Sequence, residues 1–348
     1  MKVLKGFLIA ILVVVILAGG FLGWLTIVEY NPGPVEPAEV ISTAETSKKV
    51  KLGDDVNVLS WNIGYAGLGA KEDFFMDGGE KVAPDDVTVM EGYLDNIVKF
   101  IHKENPDVAM IQEVDKGSSR TFKYNQTQKF TDKNTAFSPN YRAKFVPFPM
   151  PPLGTVDSGL LNVTDFQVEK SERIALPLSF SWPVRTANLK RCLQATYIPI
   201  ENSDKKLVIV NLHLEAYDSG EGKIKQSKAL REFITGEYEK GNYVIAGGDF
   251  NQTFPGSKEK YPILNDENWV PGTLEDSFLP DGWNFTYDLS EPTCRLLDKP
   301  YDEKTSQKYV IDGFVVSPNV KVNKVENVNL HFENSDHNPV RLNVTLEK

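Results

Sequence analysis

Cysteine is almost absent from this 348-residue chain: only Cys192 and Cys294 occur. A disulfide framework of the kind that staples small secreted domains is excluded, although the two could pair with each other or stand as two buried thiols. Internal repeats of 20–50 residues are also missing, which excludes solenoids and propellers. Basic residues are in deficit, with 38 Lys and Arg against 48 Asp and Glu and a formal net charge of −10. Such a surface repels a polyanion at long range, so a general nucleic-acid binder is disfavoured, while a small phosphate ester is not. What remains, 41% hydrophobic and 25% charged, is ordinary globular composition.

The long uncharged run is N-terminal. After Lys2 and Lys5, residues 6–28 (GFLIAILVVVILAGGFLGWLTIV) hold 23 positions without a charge. As a helix they would reach about 35 Å, enough for the roughly 30 Å apolar core of a bilayer. The run has no polar face, which argues against a buried core helix. Against its rival, a cleavable signal peptide, it exceeds the usual apolar region of about 7–15 residues and lacks a clean A-x-A site. No nearby cysteine allows lipoprotein processing. The expectation is a single-pass anchor, with residues 1–5 cytoplasmic because Lys2 and Lys5 stay inside, and the rest of the chain extracytoplasmic.

Residues 29–52, rich in Pro, Glu, Ser and Thr, read as a tether with little to bury. No second segment of that composition occurs, so residues 53–348 read as one domain, expected to act as a monomer. Without Lys2 and Lys5 the chain carries 36 basic and 48 acidic residues, a formal charge of −12.

Within the domain, DVNVLSWNIG (55–64) alternates apolar residues as a strand does, and DVAMIQEV (107–114) reads as a strand buried on both faces. Between them Asp86 precedes a helical pattern, Val89, Tyr93, Ile97 and Ile101, which Pro106 stops. Further strands are predicted at 159–163, 192–200, 207–214, within YVIAGGDFNQTF (243–254), and at 309–317 and 340–346, with a helix at about 223–238. Residues 115–152, polar and aromatic and then proline-rich, read as an irregular insertion near a site. The order of elements lacks strict strand–helix alternation, which excludes a Rossmann or barrel plan. It predicts an α+β fold of two packed, mostly antiparallel sheets flanked by helices.

Polar groups that packing does not need stand at the strand ends. They are Asn62 in SWNIG, Glu113 in IQEVD, His213 in NLHLE, Asp249 and Asn251 in GGDFN, and Asp336 with His337 in SDHNPV. Asp312 lies inside the apolar strand VIDGFVVS. Singly, each has a plain structural reading as a turn former, a solvated carboxylate or a satisfied core histidine. Together they suggest more. Asp249 and Asn251, two apart on extended backbone, should point the same way, and Gly247 and Gly248 should leave a ligand room to approach the backbone. Asp312 is costly to bury alone, and the imidazole of His337 is a suitable partner.

Taken in order, these six motifs resemble the endonuclease/exonuclease/phosphatase superfamily, which includes deoxyribonuclease I, abasic-site endonucleases, inositol polyphosphate 5-phosphatases and neutral sphingomyelinases. The likeness spans residues 55 to about 346. It implies a four-layer α/β sandwich, here behind one transmembrane helix, and a hydrolase of phosphoric esters that uses Mg²⁺, with Mn²⁺ as the alternative. By the same resemblance Glu113 is the main carboxylate ligand of the cation, with Asn62 beside metal and phosphate and Asp336 contacting the metal or its water. Asp249 would orient and deprotonate the attacking water, Asn251 hold a phosphate oxygen, and His213 donate to the phosphoryl group. His337 would bind phosphate and assist proton transfer, with Asp312 fixing its tautomer.

The resemblance has a departure. Some nuclease branches place an aspartate two residues after the first-motif asparagine; here that position is Gly64, which makes an abasic-site endonuclease a poorer match. Arg173, Arg191 and Arg295 read as surface ion pairs before phosphate ligands. Asn-x-Thr triplets, one of which begins at Asn251, are treated as chance. The reading is a membrane-anchored phosphoesterase for a small phosphate ester or lipid head group. An anchored nuclease and a non-catalytic binding protein are the alternatives. Substrate choice is expected in loops such as 115–152 and 265–292.

Overall fold

The computed structural model describes residues 2–347 except Thr46, Ser219 and Asn265, so the first position of the 265–292 loop lies outside the described residues. In chain order the sheet strands are β1 (Val35–Pro37), β2 (Glu39–Ser42), β3 (Asp55–Asn62), β4 (Val108–Asp115), β5 (Asn134–Val146), β6 (Gly154–Thr164) and β7 (Lys170–Ala175). They continue as β8 (Cys192–Pro199), β9 (Lys206–His213), β10 (Tyr243–Asp249), β11 (Asn284–Thr286), β12 (Asp312–Val316), β13 (Val320–Asn327) and β14 (Val340–Leu346). The long helices are α1 (Lys2–Ile27), α2 (Val87–Glu104) and α3 (Glu221–Glu239).

These strands form two seven-stranded sheets, ordered β1-β7-β8-β9-β10-β12-β11 and β13-β14-β3-β4-β6-β5-β2. Along β3 the side chains alternate: Val56 and Val58 enter the core between the sheets with Met110, Ile209, Ile245 and Phe314. Leu59 and Trp61 face the other way, onto Met90, Leu94, Ile97 and Ile101 of α2. On the opposite side Leu230 and Ile234 of α3 cover Val208, Val210, Val244 and Ala246. The layers are therefore helix, sheet, sheet, helix, in keeping with the two packed sheets and outer helices that the order of elements predicts. Helix α2 begins as read, with Asp86 accepting from the amides of Thr88 and Val89, and ends at Asn105 in the left-handed region.

Each sheet is antiparallel except for one parallel pair, β3/β4 in one and β9/β10 in the other. A parallel pair needs a crossover, supplied here by α2 and α3. The consequence is geometric: β3, β4, β9 and β10 present their carboxyl ends together, and Asp312 at the start of β12 sits directly opposite Asp249. Buried amides tie these ends together across the sandwich. Gln112 Nε2 donates to Asn211 Oδ1 at 2.7 Å, and Asn211 Nδ2 donates to the carbonyls of Ile111 and Leu161 at 3.1 and 3.2 Å.

Three expectations are corrected. Residues 29–52 are not a free tether: β1 pairs with β7 and β2 with β5, while Ala38 and Val50 are buried. As edge strands they keep one side in water, which their polar composition allows. Residues 115–152 are not irregular throughout, since β5 contributes 13 residues to a sheet. Pro139 disguises it in sequence; it sits at a register shift, where a missing N–H costs little. The glycines before Asp249 serve packing rather than ligand approach. A Cβ at Gly247 would lie 2.2 Å from the Phe314 ring, and one at Gly248, φ +139°, 2.0 Å from the Leu212 carbonyl oxygen. Cys192 and Cys294 are separate buried thiols.

Gly248→Ala should therefore destabilise the fold by about 2–4 kcal/mol. By contrast Gly236→Ala, in α3 with no atom within 4 Å of the new methyl group, should stabilise it by about 0.5–1 kcal/mol. Urea unfolding of the full-length protein in detergent, followed by tryptophan fluorescence, checks both.

Candidate active site

Every candidate residue named above reaches the same edge of the sandwich. Asn62 closes β3, and its Nδ2 lies 3.1 Å from Glu113 Oε1, 3.1 Å from Asp249 Oδ2 and 3.4 Å from His337 Nε2. One amide thus touches groups from three separate segments. Its own Oδ1 accepts from the Gly64 amide at 3.0 Å, which fixes the side chain.

Glu113 is aimed by strain. It sits in β4 at φ +54°, where the pairing with β6 slips between Ile111 and Val114. A bulge of this kind re-aims a side chain, and a non-glycine residue holds the left-handed region at a cost of about 1 kcal/mol or more. No Lys, Arg or His among the described residues pairs with its carboxylate.

His337 is held at both ends of its ring and along its backbone. Nδ1 lies 2.8 Å from Asp312 Oδ2, while Nε2 lies 3.7 Å from Asp249 Oδ2 and 3.8 Å from Asp336 Oδ2. Its carbonyl accepts from Trp61 Nε1 at 2.9 Å, and Thr293 Oγ1 accepts the Asp312 amide at 3.1 Å. Burial disfavours the imidazolium, but Asp312, and after it Cys294, Asp336 and Asp249, outweigh burial and raise the pKa of His337 well above its ordinary value. His213, closing β9, goes the other way. Burial first, then Arg191 and His337, hold it well below the usual range, so it is a neutral imidazole, with Nε2 3.5 Å from Asp249 Oδ2.

Burial also pushes Asp249 up to about 7, against the pull of His337, and Asp336 up to about 6. A metal ion fits this donor set on charge grounds. Asp249, Asp312 and His337 bring ligand-type atoms within 4.8 Å of one another, the spacing of a cation site. There, however, the protonated His337 is itself the cation. Glu113 is left as a hard oxygen donor with no cationic partner, and Asp336 shares the single imidazolium with Asp249 and Asp312, a surplus of carboxylate that suits a divalent cation of the Mg²⁺ type.

Asn251 departs from expectation. It stands at φ +51°, outside the strand, so it does not share an extended face with Asp249. Instead its amide donates to Asp249 Oδ1 at 2.8 Å and its Nδ2 to the Leu214 carbonyl at 2.9 Å, still at the cavity wall. The three arginines are not surface ion pairs. Arg173 donates to the carbonyls of Pro139 and Lys190, and Arg295 to those of Gly69 and Glu72. Arg191 donates to the His213 carbonyl and sits 3.4 Å from Glu215. All three are buried and anchor the chain around the site. Gly64 is explained as well: φ is +50°, and a Cβ there would stand 2.6 Å from Asp336 Oδ1, so a carboxylate at this position would displace Asp336.

Sequence reasoning missed Asp77 and Tyr217, which also line the cavity above the site. The Tyr217 hydroxyl donates to Asp77 Oδ1 at 2.9 Å, and burial pushes Asp77 up to about 7. In sequence Asp77 lies in MDGG, which reads as a turn and offers no signal.

The profile of the Endonuclease/Exonuclease/phosphatase family matches residues 59–337. No curated protein matches. Among solved structures, an endonuclease/exonuclease/phosphatase from Beutenbergia cavernae superposes with a TM-score of 0.58 at 17% identity, covering 84% of this chain and 72% of its own. One from Bacteroides vulgatus gives 0.52 at 17% identity over 84% and 100%. The human Nocturnin catalytic domain with bound sulfate gives 0.51 at 19% identity over 86% and 97%. At these identities the structures establish a shared fold, whereas the profile spans most of the chain and every motif from Asn62 to His337: the chain belongs to the endonuclease/exonuclease/phosphatase family.

Proposed function

We propose that this protein is a membrane-anchored, divalent-metal-dependent phosphoester hydrolase, single-pass, with its catalytic domain outside the cytoplasm. The observation that carries the reading is the meeting of Asn62, Glu113, Asp249, Asp336 and His337 around one amide and one imidazole, with Glu113 unbalanced. Mg²⁺, or Mn²⁺ in its place, would be held by Glu113 and Asp336 with Asn62 beside them; when bound it neutralises charge on the phosphoryl oxygens. The chain's own groups perform the rest. Asp249, ionised, takes a proton from water as the water oxygen bonds to phosphorus. His337 delivers a proton to the departing ester oxygen as its bond to phosphorus breaks. The 3.7 Å between Asp249 and His337 Nε2 then lets the proton return, restoring both groups. Asp312 keeps Nδ1 of His337 protonated, and the neutral His213 donates to a phosphoryl oxygen as negative charge builds. Asn251 holds Asp249 in place through its backbone amide.

The direct test is a phosphoester panel (plasmid DNA, inositol phosphate, sphingomyelin and phosphatidyl lipids) assayed in Mg²⁺ and in EDTA with Asp249→Asn as control. Metal-dependent turnover of a lipid or small ester that the variant loses supports the reading. Turnover of DNA alone would favour the nuclease, and no turnover by folded protein the binding protein.

Two further outcomes are expected. Asp312→Asn should lower kcat by about 10²–10⁴-fold, because His337 loses the partner that holds its proton, with little change in KM. Steady-state kinetics on the best panel substrate checks this. Asp249 must be ionised to act, so its activity is present above its pKa and lost as pH falls through it. With Asp249 held up to about 7, kcat/KM should decline tenfold per pH unit below neutrality, seen in a pH–rate profile between about 5 and 9.

A further inference from the structure

The cavity above the site, of about 630 Å³, falls within the roughly 300–1,000 Å³ of ligand pockets. It is lined by the polar Glu113, His213, Asp249, Asp336 and His337, and also by apolar side chains: Phe21, Leu22 and Leu25 of helix α1 with Phe75, Phe148 and Val184. The same helix that is read as the membrane anchor thus forms part of the candidate active-site pocket.

The contact is built rather than incidental. Leu25 is the buried residue of α1, whereas Val3 to Leu17 are exposed. The Phe21 and Phe145 rings meet edge to face at 6.1 Å, and Trp182 Nε1 donates to Thr26 Oγ1 at 3.0 Å. Just beyond the helix, Glu29 Oε1 accepts from Lys190 Nζ at 2.7 Å and lies 3.3 Å from Arg185 Nε.

Helix length then sets the depth of the pocket. The 26 residues of α1 rise about 39 Å, of which about 20 residues cross the apolar core. With residues 1–5 on the inner side, the core is crossed by about residues 6–25, so its last turn carries pocket-lining Leu22 and Leu25 at the outer edge of the core. Trp24 stands in the same turn, near the interface its ring favours. Large apolar side chains are exposed on the segments that meet α1 or line the pocket: Met76, Phe148 at 63% exposure, Met150 at 86%, Leu178, Trp182 and Val184. Phe148 packs on Phe75 at 5.6 Å, so the rim is continuous with the pocket wall.

Resting on the phosphoester-hydrolase reading above, we propose that the substrate is a membrane lipid phosphoester taken from the outer leaflet. Its phosphate reaches the Asn62–His337 end, its hydrocarbon chain lies between α1 and residues 147–153 and 180–184, and the rim around Phe148 and Met150 rests on the bilayer. The reaction is unchanged: water adds to phosphorus and the alcohol leaves.

The test uses full-length protein in detergent micelles with Mg²⁺ or Mn²⁺ and two 4-nitrophenyl phosphodiesters with the same reacting group, one bearing an ethyl and one an octyl chain. Nitrophenolate release gives kcat/KM for each. Wild type is expected to favour the octyl ester by about 10-fold or more, the worth of roughly two buried methylenes. Phe148→Asp and Val184→Asp, both at exposed positions that tolerate charge in the fold, should bring the octyl-to-ethyl ratio at least threefold closer to one, while Gly236→Ala leaves the ratio as in wild type. Partition into micelles is common to all four proteins, so the change in ratio isolates the pocket. An unchanged ratio in both Asp variants, or a wild-type ratio near one, overturns the lipid proposal while leaving the hydrolase standing. Failure of folded wild type to cleave either ester overturns the hydrolase reading itself, and the lipid proposal with it.

Discussion

Bringing Glu113, Asp249, Asp312 and Asp336 to one edge of a buried sandwich is unfavourable unless something positive or donating meets them. That constraint organises the structure. His337 answers part of it by keeping its proton between Asp312 and Asp249, and Asn62 answers another part by offering one amide to Glu113 and Asp249. Positioning these two residues needs the ends of β3 and β14 to be fixed, which the Trp61 indole and Ser335 hydroxyl do by bonding the His337 and Asn62 carbonyls. The carboxylates outnumber that one imidazolium, and Glu113 has no cationic partner among the described residues, so the edge suits a cation better than it suits a closed polar core.

The fold supports this arrangement through a repeated device. Each sheet carries one strand–helix–strand crossover, and the crossovers align four carboxyl ends that antiparallel hairpins would have scattered to both ends of the sandwich. The Gln112–Asn211 bond joins the two crossovers where they meet. Sheet packing and site geometry are therefore a single problem. Gly247 and Gly248 illustrate the point: they let β10 pass close to Phe314 and Leu212, and only then does Asp249 arrive opposite Asp312.

Much of this was legible in sequence, for identifiable reasons. The two-sided apolar strands, the Asp86 cap and the Pro106 stop are local signals, and the structure keeps them. The residues that meet at this edge were legible as candidates because polar groups at the ends of apolar strands have no packing purpose. What escaped detection depends on contacts between distant segments. Strands β1 and β2 lie in a polar stretch that pairs only because β7 and β5 offer edges, and β5 is interrupted by Pro139. The reversal at Asn251 follows from its bond to Leu214, 37 positions away. The arginines look like surface groups one at a time; their burial follows from carbonyls, such as those of Gly69 and Pro139, that loops far along the chain leave turned inward. Asp77 is bonded at the cavity by Tyr217, 140 positions distant.

On the proposed membrane-anchored reading, the charge of the domain gives helix α1 a physical meaning beyond attachment. A phosphate ester approaching a domain of formal charge −12 from bulk solution meets repulsion over roughly a Debye length, about 8 Å at physiological ionic strength. A phosphate arriving along a membrane, with its chain already in the apolar wall, would face that repulsion only over a short final approach, where Asn62, the His337 imidazolium and the proposed cation would oppose it. Hydrocarbon burial is indifferent to charge and grows with chain length. On the proposed reading, an acidic surface and an apolar entrance act in the same direction: the surface disfavours soluble polyanions while the entrance would favour esters that carry a tail, with α1 joining both to the leaflet where such esters reside.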